Sequence, residues 1–110
     1  MVFTGREDHS ISLSDAATLT ARYRAQMRTG DLKGGFFGKN AIQAILDQAD
    51  CVGIRYYYGL DSDSKQVMVL VGVNAEGNDL EDGELAEFSI PCPASCGTAN
   101  ELNSSMLENN

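Results

Sequence analysis

The segment Gln66-Val-Met-Val-Leu-Val-Gly-Val73 constrains this chain more than any other. Side chains along an extended strand point alternately to its two faces. Val67, Val69, Val71 and Val73 therefore share one face, and Met68, Leu70 and Gly72 share the other. Both faces are apolar. An antiparallel strand with one face in water would alternate apolar and polar residues. The segment is expected to be a central strand covered on both sides. Helices can cover one side. The side of Met68 and Leu70, or that of the valines, then needs a second cover: the N-terminal residues, the C-terminal tail, or another copy of the chain.

The flanking sequence supplies neighbours for such a strand. Cys51 to Gly59 also alternates, with Val52, Ile54, Tyr56 and Tyr58 on one face and Cys51, Gly53, Arg55 and Tyr57 on the other. The polar run 60–65 reads as a hairpin connection. Residues 74–79 read as a tight turn, with Gly77 suited to positive φ. A third strand is expected within Leu85 to Ile90, with Ala86, Phe88 and Ile90 inward, before Pro91 and Pro93 end regular pairing. A piece around Ser10 to Leu13 is a candidate fourth, edge strand.

Before residue 50 the apolar spacing is helical. A helix is expected from about Ser14 to Arg28, with Ala16, Leu19, Tyr23 and Met27 on one face. Ser12 with Asp15 resembles a capping box, with Ser14 the competing cap. Arg22, Arg24 and Arg28 suit its C-terminal end, and Gly30 supplies the stop. A second helix is expected from about Lys39 to Gln48 on Ile42, Ile45, Leu46 and Ala49. The glycine-rich stretch between them reads as a loop. One of its rings, Phe36 or Phe37, is expected to staple the second helix, and the other to lie over the sheet or in an interface. The fold class is thus α+β: two N-terminal helices packed on a three-stranded antiparallel meander, four-stranded if the edge piece joins. A length of 110 residues fits a single domain, with a leader over 1–10, a core over 11–96 and a polar tail over 97–110.

A net charge of −8 speaks against a nucleic-acid surface. Residues 1–40 hold six cations against four acids, and residues 41–110 hold two against twelve. The two regions can complement each other within one molecule or between subunits. No apolar run approaches the roughly 20 residues that span a bilayer, so no membrane partner is expected. The start lacks the basic-then-apolar pattern of a secretory signal, and a cytoplasmic location is the expectation.

Few residues invite chemistry. Cys92 and Cys96, within Pro91-Cys-Pro-Ala-Ser-Cys96, have a three-residue spacing that matches neither redox nor zinc-knuckle motifs. They can be plain thiols, a disulfide in an oxidising compartment, or metal ligands together with Cys51 and His9. His9, beside Glu7 and Asp8, reads as an exposed residue. Asp61-x-Asp63 opens like a calcium loop but lacks its glycine and closing glutamate, leaving a solvated turn as the preferred reading. Tyr56, Tyr57 and Tyr58 put rings on both sheet faces beside Arg55, which suits core and interface packing.

The segments Leu13-Ser-Asp-Ala16, Cys51 to Gly59, Val71 to Asn78 and Pro91 to Cys96 together resemble a group of small uncharacterised bacterial proteins. In that group a central strand pair precedes a cysteine–proline segment. The likeness covers most of residues 11–97. It implies a bacterial origin and singles out Cys92 and Cys96, and it carries no activity, substrate or cofactor. The expected function is a non-catalytic interaction or small-ligand-binding module acting as a homo-oligomer, with a homodimer as the expected assembly. Its candidate contact residues are Phe36, Phe37, Arg55, Tyr57, Met68 and Leu70. The alternative is a thiol redox or metal protein using Cys92 and Cys96, with Cys51. No cofactor is expected, and the absence of known catalytic motifs points away from an enzyme.

Overall fold

A computed structural model describes residues 2–87 and 89–104; Phe88, expected inward, and residues 105–110 of the tail lie outside the described residues. The elements run α1 (Leu13–Ala25), β1 (Gly34–Phe36), α2 (Lys39–Leu46), β2 (Gly53–Leu60), β3 (Gln66–Val73), β4 (Leu85–Ala86) and β5 (Ile90–Cys92). The chain is α+β, with a three-stranded sheet in the order β2-β3-β4 and a separate ribbon of β1 and β5. All these pairings are antiparallel. The chain gathers into two compact units: unit 1 is Met1–Asp8 with Phe37–Ser89, and unit 2 is His9–Phe36 with Ile90–Asn110.

Unit 1 is built on the valine-rich segment, which forms β3 over the expected span. It pairs with β2 along its whole length, from Gly53↔Val73 to Leu60↔Gln66. Leu70, Val71 and Val73 are buried, and so is Ile45 of α2 at 1% exposure. Helix α2 packs on β2, β3 and β4. Its approach is close at Gly72, where a Cβ would lie 3.3 Å from Ile45 Cγ2. Helix α2 therefore closes the face of Leu70 and Gly72. On the valine face, residues 2–8, read from the sequence as a leader, lay Phe3 across Arg55, 5.9 Å from ring centroid to guanidinium carbon. The Phe3 amide donates to the Ala75 carbonyl at 2.8 Å. Gly77 turns the chain beneath that ring with φ of +85°, the left-handed region that the sequence led us to expect. Leu70, expected to need cover from a second source, is 6% exposed in the single chain.

The expected third strand divides. Leu85–Ala86 pairs with Leu70 and Val71 of β3, whereas Ile90–Cys92 pairs with Gly34–Phe36 in the other unit. Ile90, expected inward, is exposed. Pro91 sits inside β5 opposite Gly35. A two-strand ribbon leaves each strand a free side, so the missing N–H of proline interrupts no inner ladder.

Unit 2 holds α1 and this ribbon. Ser12 caps the helix, its hydroxyl accepting from the Asp15 amide at 3.0 Å, which decides between the two candidate caps. The helix stops at Ala25, short of Arg28. Past that point the Asp31 carboxylate takes the Arg28 amide at 2.8 Å, a local bond that competes with helical continuation. The half-buried residues of α1 are Ala16, Ala17, Thr20 and Arg24; Leu19 and Tyr23, expected on the packed face, are exposed. Two cations reach the turn at 100–104: Arg24 Nη1 donates to the Leu102 carbonyl and Lys33 Nζ to that of Asn103, each at 2.7 Å. No described residue of unit 2 is buried.

Candidate functional site

The β2–β3 hairpin of unit 1 changes character along its length. Its inner half, around Ile54 and Leu70 to Val73, carries α2 on one face and Phe3 on the other. Its outer half, Tyr57–Leu60 opposite Gln66–Val69, runs beyond β4, which among the described residues pairs only with Leu70 and Val71, and Tyr56 stands at the boundary opposite Leu70. The outer half therefore presents aromatic residues to solvent. Tyr56 is 52% exposed, Tyr58 68% and Leu60 72%. These three share one face by period-two alternation. Tyr56 and Tyr58 meet edge to face, with ring centroids 5.6 Å apart, the geometry that aromatic quadrupoles favour. Met68, directly opposite Tyr58 in the register, extends the patch as a half-buried residue. Among the described residues no strand pairs with the outer edge of β2.

The opposite face bears a polar clasp. Arg55 and Tyr57, two residues apart on β2, both reach Asp79. Arg55 Nη1 donates to Asp79 Oδ1 at 2.6 Å and to the Gly77 carbonyl at 3.1 Å. The Tyr57 hydroxyl donates to Asp79 Oδ2 at 2.5 Å. The 74–79 turn makes this possible by folding back until Asp79 bridges to Val73. The bond from Tyr57, with the neighbouring guanidinium adding to it, holds the Asp79 carboxyl below its ordinary value. The same bond lifts the Tyr57 phenol above its own. Both carboxylate oxygens and the guanidinium are engaged with one another, so the clasp ties the 74–79 turn to β2.

The remaining candidates fall in different places. Phe36 is 60% exposed on β1 of unit 2, while Phe37 is half-buried and begins the second segment of unit 1. Phe37 stands just before the Gly38 cap of α2, with Ile42 at the fourth helical position, the positions of a hydrophobic staple. Cys92 and Cys96 are joined as a disulfide with Cα atoms 4.7 Å apart. Cys51 is a free, half-buried thiol in unit 1 that donates to the Gly53 carbonyl at 3.2 Å. Among the described residues no three or more of His, Cys, Asp and Glu gather to hold a metal ion. Asp61 is used locally, its carboxylate accepting the Asp63 amide at 2.8 Å and the Lys65 amide at 2.9 Å across the hairpin turn.

No helix among the described residues is long and apolar enough to cross a membrane. No family model, curated protein or solved structure matches the chain.

Proposed function

We propose that this chain is a non-catalytic interaction module that self-associates through the outer half of the β2–β3 hairpin. The observation that carries the reading is the exposed row of Tyr56, Tyr58 and Leu60 on a strand whose outer edge is unpaired among the described residues. An open strand edge offers a line of backbone donors and acceptors. Tyrosines add large contact area for little loss of side-chain freedom. A two-fold pairing needs only one surface, which meets its own copy.

Charge gives the reading a second handle. Unit 1 carries four cations against twelve acids, a net of −8, whereas unit 2 carries four of each. Two copies meeting through unit 1 repel each other, and salt screens that repulsion. Association through this surface therefore strengthens as salt is added.

Light scattering up to high micromolar concentration tests the proposal. The expected mass is that of two chains, favoured by added salt. The variants Tyr58→Glu and Leu60→Glu return it to one chain with the circular dichroism spectrum unchanged. A wild-type mass of one chain at every concentration and salt would remove the reading.

A further inference from the structure

We infer that the Cys92–Cys96 disulfide is a redox-sensitive latch on unit 2, whose opening disorders that unit and leaves unit 1 folded. Three observations converge on Cys92. It is paired with Gly34 in the ribbon, its carbonyl accepts the Lys33 amide at 2.7 Å, and its sulfur closes the five-residue ring to Cys96. The ring also carries its own backbone bonds, from the Ser95 amide to the Pro91 carbonyl at 2.9 Å and from the Cys96 amide to the Ala94 carbonyl at 3.1 Å. One covalent bond thus fixes the end of β5 that β1 pairs with.

Among the described residues of unit 2, nothing else supplies the stability that a core would. None of its described residues is buried, and its ribbon is three residues long on each strand. Small units without enough core depend on covalent links. Cys96 is exposed and so open to attack by a thiol from solution. A dithiol such as dithiothreitol supplies the electrons. Its thiolate attacks Cys96 Sγ, the S–S bond breaks, and Cys92 leaves as a thiolate that takes up a proton. The second thiolate of the reagent then closes its own disulfide and releases Cys96, which is protonated in turn. Two electrons and two protons pass to the protein. The chain would hold unit 2 ordered in an oxidising compartment and loosened in a reducing one. This inference does not rest on self-association, which concerns unit 1.

Hydrogen exchange on the full chain, with and without dithiothreitol, tests it. On reduction the Lys33 and Ser95 amides should exchange about thirtyfold faster, the loop-closure entropy of a five-residue ring. The Val52 and Leu80 amides, bonded to Val73 and Gly72 in unit 1, should keep their rates. Cys51→Ser should preserve the response, and the double variant Cys92→Ser, Cys96→Ser should exchange as the reduced chain does under both conditions. Unchanged Lys33 and Ser95 rates on reduction would overturn the inference. So would equal loss of protection in both units, or two free thiols at Cys92 and Cys96 in air-oxidised protein.

Discussion

Among the described residues, unit 1 closes around four buried apolar side chains, Ile45, Leu70, Val71 and Val73, whereas unit 2 has none. In unit 1 the inner half of the β2–β3 hairpin has α2 on one face, and on the other Phe3 lies against Arg55. Burying such a side chain contributes about 1.5–3 kcal/mol. Unit 2 relies on a short ribbon, two cation-to-carbonyl bonds, a capped helix and a disulfide whose small ring contributes about 2 kcal/mol. The contrast teaches where change is tolerated. In unit 1 the shape of a few side chains matters. In unit 2 local backbone bonds and one covalent link matter, and the apolar residues of α1 matter little.

Substitutions can break that contrast. The largest expected effect is at Ile45. Ile45→Ala should cost about 3 kcal/mol in urea unfolding of unit 1, because it empties a site that is 1% exposed. Leu19→Ala on the exposed side of α1 should change stability by less than about 0.5 kcal/mol. Equal costs at the two sites would abolish the distinction.

Overpacking comes next. Gly72→Ala should destabilise unit 1 by about 2 kcal/mol, because its Cβ meets Cys51 Sγ at 3.0 Å and the Gln48 side chain at 2.8 Å. A cap tests the other unit. Ser12→Ala removes the acceptor of the Asp15 amide and should cost about 1 kcal/mol. The loss should appear as reduced helicity, with protection in unit 1 unchanged.

The smallest expected effect is a pH dependence confined to unit 1. Asp79 has its carboxyl held below its ordinary value of 3.8 when folded. Its contribution to stability is therefore complete above that value and lost as the pH falls through the lowered one. Tyr57 is held above its ordinary value of 10.0, so its contribution is complete below that value and lost as the pH rises through the raised one. Asp79→Asn should flatten both arms relative to wild type in urea midpoints taken from acid to alkaline pH. An unaltered profile would mean the clasp carries no pH-dependent stability.

How far the sequence led depends on how local each signal is. β3 was legible at both ends because its apolar run is bounded by polar turns, and α2 began at Lys39 as its helical spacing required. Arg55 and Tyr57 could be placed on one face of β2 by alternation alone. Their partner could not: Asp79 is one acid among several in its loop, and only the fold-back of the 74–79 turn brings it to them. β1 gave no signal, because Gly34-Gly35-Phe36 is too short to alternate and acquires its extended form from pairing with β5. For the same reason the expected third strand could not be seen to divide between two partners. Phe3 was equally silent, since one ring in a polar segment has no period. The packed face of α1 is not legible in its spacing, because Leu19 and Tyr23 carry its strongest apolar signal, while the half-buried side is lined by Ala16, Ala17, Thr20 and Arg24. Where no described residue of the unit is buried, apolar spacing does not decide which side turns inward.

Native-state hydrogen exchange of the oxidised, wild-type chain tests the difference between the units most directly. Slow exchange should concentrate in the amides of β2 and β3, with Gln26, Lys33 and Ser95 opening at least about tenfold faster than Val52 and Leu80. A single opening rate shared by both groups of amides would contradict the account.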